Sequence, residues 1–189
     1  MGVLARVSQR KFLRAVQSRA ARAAVTASAT RGQGKDVVKK ARGHLVHLNL
    51  ARFGVSASRF SKVLDRETDR LMEILPSKSR RWGLARKLLN IFLRDCFYTT
   101  YLQEAYRLDE SALELPLDSI SVTCLKKAWR LKKDAKPALL PRWRGVKHLE
   151  QEDSDKYQAA ARELAISTGR SRVHLDAEWW SASRDAPAR

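Results

Sequence analysis

The chain has 189 residues, enough for one domain with a real core and too few for two large ones. Hydrophobic residues make up 44%, which excludes a disordered tail, and 38 Lys and Arg stand against 20 Asp and Glu, a formal charge of +18. Such an excess repels itself and points to an anionic partner; nucleic acid leads, because neutralised phosphates release counterions. A membrane surface, met through the basic residues 1–35, is the second candidate, but no apolar run reaches spanning length and no membrane is expected as the partner.

Residues 1–35 carry Arg6, Arg10, Lys11, Arg14, Arg19, Arg22, Arg31 and Lys35 without one acid. In composition this resembles an organelle-targeting leader, but the Ala-rich run at 20–28 prolongs a helix and favours a basic helical arm. Gly32-Gln33-Gly34 then separates the arm from the next helix. Residues 36–53 show helical spacing in Val37, Val38, Ala41, Leu45 and Leu48, and Gly54 stops that helix. Ser56 or Ser58 caps the next, which runs to Leu75 with a solvated face of mixed charge.

Residues 76–83, Pro-Ser-Lys-Ser-Arg-Arg-Trp-Gly, read as a loop. Lys78, Arg80, Arg81 and Trp82 are suited either to gripping a phosphate backbone or to linking two helices with the tryptophan anchored in the core. The stretch from Trp82 to Asp118 opens with one long helix, apolar on nearly every side through Leu84, Leu88, Phe92 and Phe97, as an element enclosed by its neighbours must be. On it Lys87, Asn90, Arg94, Tyr98 and Tyr101 recur every three or four residues and make a polar stripe. An acidic connector at 109–114 leads to Pro116, and Asp118 stands at a natural N-cap. The helix after it ends in Lys126, Lys127, Arg130, Lys132 and Lys133, which suit the macrodipole or extend a DNA-facing surface. Residues 134–149, with Pro137 and Pro141, read as irregular. A helix opening at Asp153 or Ser154 closes at Gly169, and a last short one carries Asp176, Trp179 and Trp180 before a frayed tail.

The expected architecture is all-α: about seven helices in a single compact domain over 36–180, a basic arm over 1–35 and a flexible tail over 181–189. Cys96 and Cys124 lie in apolar helices as free thiols. Neither they nor His44, His47, His148 and His174 show zinc spacing, so no metal is implied.

Gly83-Leu84-Ala85-Arg86-Lys87 resembles the second half of the hairpin in the helix-hairpin-helix DNA glycosylases, usually Gly-Val-Gly-x-Lys. Pro116-Leu117-Asp118-Ser119-Ile120 is similar to that superfamily's Asp-containing motif. The long interval between the two, and Leu175-Asp176-Ala177-Glu178-Trp179, resemble the archaeal 8-oxoguanine branch; the likeness covers about residues 80–180. Two departures stand out. The hairpin's second glycine is Ala85 here, and Pro76 lies well ahead of Gly83.

The resemblance implies a cofactor-independent, monomeric enzyme of double-stranded DNA, cytoplasmic and associated with the nucleoid, which excises a modified base. Asp118 would stabilise charge on the sugar and Lys87 would attack C1′ in a lyase step. Lys78, Arg80, Arg81, Trp82, Gly83, Arg86, Lys126 and Lys127 would hold DNA. Asn90, Arg94, Tyr98, Tyr101, Asp176 and Trp179 would line the pocket for a flipped base. The substrate would be oxidised purine, or glucosylated hydroxymethylcytosine in phage DNA as in bacterial antiviral glycosylases. On the residues alone, a non-enzymatic basic helical protein that binds nucleic acid accounts for the charge equally well.

Overall fold

A computed structural model describes residues 2–132 and 140–185, with side chains described between Ser8 and Lys132 and between Leu140 and Ser181. Lys133, Pro137 and the end of the tail lie outside the described residues. The described elements are all helical: α1 (Gly2–Ala24), α2 (Val37–His47), α3 (Ala57–Ile74), α4 (Trp82–Phe97), α5 (Thr100–Tyr106), α6 (Ser119–Leu131), α7 (Gln151–Ser167) and α8 (Leu175–Asp185), with short 3-10 turns between them.

Two apolar clusters make the core. The first gathers α1 to α5 around Leu45, Phe53, Phe60, Leu71, Leu88 and Phe92; the second gathers α6, α7 and the start of α8 around Leu117, Leu125, Tyr157 and Leu175. The basic N-terminal helix is not set apart from this body. Ala20, Ala21, Ala24 and Val25 are buried in the first cluster, and Gln17 donates to the carbonyls of Leu45 (2.9 Å) and Leu48 (2.8 Å) at the end of α2. The small alanines let α1 lie close against α2 and α4, so residues 1–35 join the domain through their C-terminal half.

The single long helix expected from Trp82, with its stripe running on to Tyr101, is broken in two. Thr99 adopts an extended conformation (φ −100°, ψ 104°) and its hydroxyl donates to the Asp95 carbonyl at 3.0 Å. The run Phe97-Tyr98-Thr99-Thr100-Tyr101 is β-branched and aromatic throughout, poor helix-forming material with a side chain able to compete for a backbone carbonyl.

The chain passes from one apolar cluster to the other at Glu114, between Leu113 and Leu115. Its carboxylate is buried and receives the Arg86 guanidinium through two bonds, Nε to Oε2 at 2.9 Å and Nη2 to Oε1 at 3.0 Å, plus Asn90 Nδ2 at 2.9 Å. Arg86 also donates to Asp65 at 2.8 Å and Thr68 at 3.1 Å on α3. Arg172 donates to the carbonyl of Leu113 beside them. Burial disfavours both charges, but each holds the other: the Glu114 pKa lies below and the Arg86 pKa above the ordinary value.

Gly83 sits in the first turn of α4 under residues 146–149. A Cβ there would stand 2.5 Å from the Val146 carbonyl oxygen and 2.6 Å from Leu149 Cβ. The glycine expected to approach a DNA phosphate is instead covered by the protein's own backbone. Gly83→Ala is therefore expected to lower the unfolding free energy by about 2 kcal/mol in denaturant titration. Glu114→Ala, which leaves Arg86 buried without its main partner, is expected to cost roughly 4 kcal/mol in the same measurement.

Candidate functional site

The polar stripe on α4 divides between two destinations. Arg86 and Asn90, four residues apart, point to Glu114 at the seam between the cores. Lys87 and Arg94, seven apart and on the neighbouring ridge, point to the starts of α6 and α8. Arg86 is thus a correction to the expected DNA contacts, and Asn90 to the expected base pocket. Both are 3% exposed, and both donate to internal partners, Glu114 foremost.

Lys87 Nζ lies 3.6 Å from Asp118 Oδ2 and donates to the Ala29 carbonyl at 3.3 Å. Asp118 is the N-cap of α6. Its Oδ1 accepts from the backbone of Ile120 (2.9 Å) and Ser121 (3.0 Å), while the Ser121 hydroxyl accepts from the Asp118 backbone at 2.8 Å, completing a capping box. The two carboxylate oxygens therefore divide their duties: Oδ1 holds the helix, and Oδ2 faces the lysine.

Beside this pair, Arg94 holds two carboxylates. It bonds Asp95 through Nε (3.0 Å) and Nη2 (2.8 Å), and Asp176 at the start of α8 through Nη1. Burial opposes the Arg94 charge, yet the two acids together keep its pKa above the ordinary value. Asp176 fares differently. Burial pushes its carboxyl up to about 6; Arg94 and Lys87 pull it down, and Asp118 and Asp95 push it further up. One guanidinium shared between the buried Asp176 and the half-buried Asp95 does not fully compensate both, and the Asp95 carboxyl also lies above its usual range because of partial burial.

Tyr98, at the end of α4, closes one side of the cluster. Its ring lies near-parallel to His174 at 5.6 Å, and its hydroxyl bonds His174 Nδ1 at 2.9 Å, while Nε2 bonds Glu110 at 2.8 Å. Burial, ahead of the neighbouring charges, raises the Tyr98 pKa.

Sequence reasoning placed Lys87, Asp118, Arg94, Asp176 and Tyr98 in one site, and the structure brings these five together. It missed Asp95, His174 and Glu110. Of these, His174 stands immediately before the Leu175–Trp179 motif, two residues ahead of Asp176. Other expected members lie elsewhere. Tyr101 is on α5, edge-to-face with Phe12 of α1 at 5.0 Å. Trp179 packs against the second core, and Trp82 does the same while its ring lies 5.1 Å from the Arg86 guanidinium carbon. Lys126 does not face outward: it donates to the Pro141 carbonyl at 2.7 Å beside the Tyr157 hydroxyl, which bonds the same oxygen.

Lys78, Arg80, Arg81 and Lys127 are exposed. The Ser79 hydroxyl donates to the Gln33 carbonyl, which sets the basic loop at 77–81 against the basic connector at 29–36. That connector supplies the Ala29 carbonyl to Lys87, so both basic loops border the cluster. Among the described residues, no group of three or more His, Cys, Asp or Glu is placed to hold a metal ion, and no helix is long and apolar enough to cross a membrane.

The raised Asp176 pKa has a stability consequence with a definite sign. The folded chain binds this proton more tightly than the unfolded chain, whose value is 3.8. The contribution is neutral in acid and becomes unfavourable as pH rises from about 4 through 6, reaching roughly 3 kcal/mol. Asp176→Asn should therefore gain stability relative to wild type over that interval and hold a constant advantage above it, measured by denaturation from about pH 4 to 7.5. A difference that does not change with pH would show that Arg94 compensates the charge fully. No protein-family model matches the chain, and neither a curated protein nor a solved structure does.

Proposed function

We propose that the chain is a DNA glycosylase of the lysine–aspartate kind, with Lys87 and Asp118 as its reacting pair. The observation that carries this reading is their convergence: residues on different helices, 31 apart in sequence, stand 3.6 Å from one another in a partly enclosed cluster. Breaking an N-glycosidic bond builds positive charge on the sugar, and a carboxylate beside C1′ stabilises it. Asp118 Oδ2 is the oxygen left for that duty once Oδ1 has capped α6. The Lys87 amine, its proton released to solvent, attacks C1′ while the Asp118 carboxylate faces the charge on the sugar; the C1′–N bond breaks with its electron pair going to the base. Asp176, whose carboxyl burial pushes up to about 6, keeps a protonated fraction near neutrality and supplies the proton that the departing base takes up. Tyr98, 47% exposed at the edge of the cluster, offers a ring for the flipped base to stack on.

The hairpin of the glycosylase superfamily is the weaker part of the resemblance. Gly83, which should approach phosphate, is covered, and the basic loops at 29–36 and 77–81 would have to take over its work. A second reading rests on the same bonds: Lys87 and Asp118 tie α4, α6 and the Ala29 carbonyl together, and a non-enzymatic nucleic-acid-binding protein needs no more from them than that.

The deciding experiment challenges the protein with ordinary DNA, oxidised DNA and DNA carrying glucosylated hydroxymethylcytosine, and identifies any released base by mass spectrometry. Release is expected from one modified DNA, and loss of release in Asp118→Asn, where asparagine keeps the cap and the fold. Borohydride should trap a covalent adduct in wild type and none in Lys87→Gln. Release unchanged in Asp118→Asn, or no release from any substrate, would leave the binding-protein reading.

A further inference from the structure

The positive charge is unevenly placed. Residues 1–64 hold 14 of the 38 Lys and Arg but a single acid, Asp36, and so supply +13 of the +18. In the fold these residues are α1, α2 and the start of α3, not the loop at 76–83 where the sequence suggested DNA would sit.

The helices α1 and α2 run antiparallel. Gln17 of α1 reaches the end of α2, and Arg42 of α2 donates to the Val25 and Arg22 carbonyls near the end of α1. Two grooves open along the pair. One, of about 570 Å³, is lined by Arg10, Lys11 and Arg14 of α1 with His47 of α2 and has no acid. The other, of about 730 Å³, is lined by Arg31, Lys35, Lys39 and Arg42, with Asp36 the one acid. Lys39 and His47 are eight residues apart on one ridge of α2, about 12 Å along the axis, so both grooves share a face of the helix.

Gly43 lies midway between them on that ridge. It is exposed, and a Cβ added to it would meet nothing within 4 Å. Glycine inside a helix costs stability relative to alanine, and no internal packing accounts for it here. The glycine leaves the middle of the face bare, flanked by cations at either end. Something from outside can then come close to the α2 backbone.

We propose that this α1–α2 face is the docking surface for the sugar-phosphate backbone of duplex DNA, with the two cationic grooves gripping phosphates on either wall of a groove and Gly43 admitting the close approach between them. The rise of about 12 Å from Lys39 to His47 along α2 is comparable to the width of a duplex major groove. An anionic membrane fits the same charge but not the same shape. A surface-lying helix inserts an apolar face; among the described residues of α1, Leu13, Val16, Ala20, Ala21 and Ala24 are already packed against the protein core, and the exposed Phe12 meets Tyr101 edge-to-face. The surface shares its partner with the glycosylase reading and rests on that reading only for the choice of duplex DNA. It also adjoins the Lys87 cluster, since the connector that lines the larger groove carries the Ala29 carbonyl.

The test is fluorescence anisotropy of a short labelled duplex at stepped salt concentrations. Neutralising Arg10, Arg14 and Lys39 together, each to Gln, should flatten the log–log salt slope by about 0.9 for each phosphate contact and weaken binding about tenfold or more. Arg130→Gln with Arg162→Gln, on exposed positions of α6 and α7, should change binding less than about twofold. Gly43→Gln separates folding from docking: the melting temperature should rise with helix propensity while duplex affinity falls roughly fivefold. An unchanged slope in the triple variant, full affinity in Gly43→Gln, or tighter binding to the single strand than to the duplex would overturn the proposal. So would loss of binding to phosphatidylserine vesicles in the triple variant with duplex affinity retained. Base release is followed alongside. Docking through this face without base release sinks the glycosylase reading alone, and base release with docking unaffected by these variants sinks the docking face alone.

Discussion

The Glu114–Arg86 pair is the constraint that organises the helices around it. A carboxylate placed where the chain leaves one apolar cluster and enters the other would be prohibitively costly alone. It is tolerable because α4 delivers a bidentate guanidinium and an amide from one face, Arg86 and Asn90, while Arg172 approaches from the segment before α8. Asp65 and Thr68 bring α3 to the same guanidinium. Four separate segments are therefore fixed relative to one another by a single charge. Its consequence for the site is direct. Asp118 comes four residues after Glu114, across the buried Leu115-Pro116-Leu117, and Asp176 comes four residues after Arg172. The seam sets where both carboxylates of the cluster emerge against Lys87 and Arg94.

Two buried acids a short way apart thus have opposite electrostatics, and the difference lies in how many donors each one commands. Glu114 receives one whole face of a guanidinium and an amide, and its charge is held. Burial pushes the Asp176 carboxyl up to about 6, and the Arg94 guanidinium it shares with Asp95 does not offset that, while Asp118 adds to it. Structural ion pairs are built in the first way. An acid left under-compensated is a standing cost to the fold, and it sits beside the lysine–aspartate pair that spans α4 and α6. The proposed chemistry makes use of that cost, since a proton available near neutrality is what a departing base needs.

The all-helical character was legible because apolar spacing reports it directly, and the Asp118 cap was legible because proline followed by a short polar residue is local chemistry. Burial was not. Arg86 follows Gly-Leu-Ala in a cationic region, and by residue type it belonged with Arg80 and Arg81; only the tertiary arrangement shows that it turns inward to Glu114. The signal lay in Leu113-Glu114-Leu115-Pro116-Leu117, where an acid interrupts an apolar run, and in Asn90 four residues beyond Arg86. Lys126 misled in the same way, as its ammonium bonds a carbonyl across the second core. The break between α4 and α5 turned on Thr99, whose hydroxyl competes with the backbone for the Asp95 carbonyl, and that break carried Tyr101 away from the stripe to which its spacing had assigned it.

The N-terminal third completes the electrostatic picture. Several cations elsewhere in the chain find acids: Arg52 and Arg70 reach Glu67, Lys132 reaches Glu163, Lys156 reaches Glu152 and Arg170 reaches Glu178. Along α1, the connector and α2 there is one acid, so neighbouring cations repel with almost no local compensation, and the fold bears that cost through the burial of Ala20, Ala21, Ala24 and Leu45 instead. The arrangement is stable because the apolar side of α1 is anchored in the core, and its electrostatic cost falls when polyanion arrives. A region that would be less strained with phosphate present, and that hands a backbone carbonyl to Lys87, links the protein's excess charge to its candidate centre of chemistry.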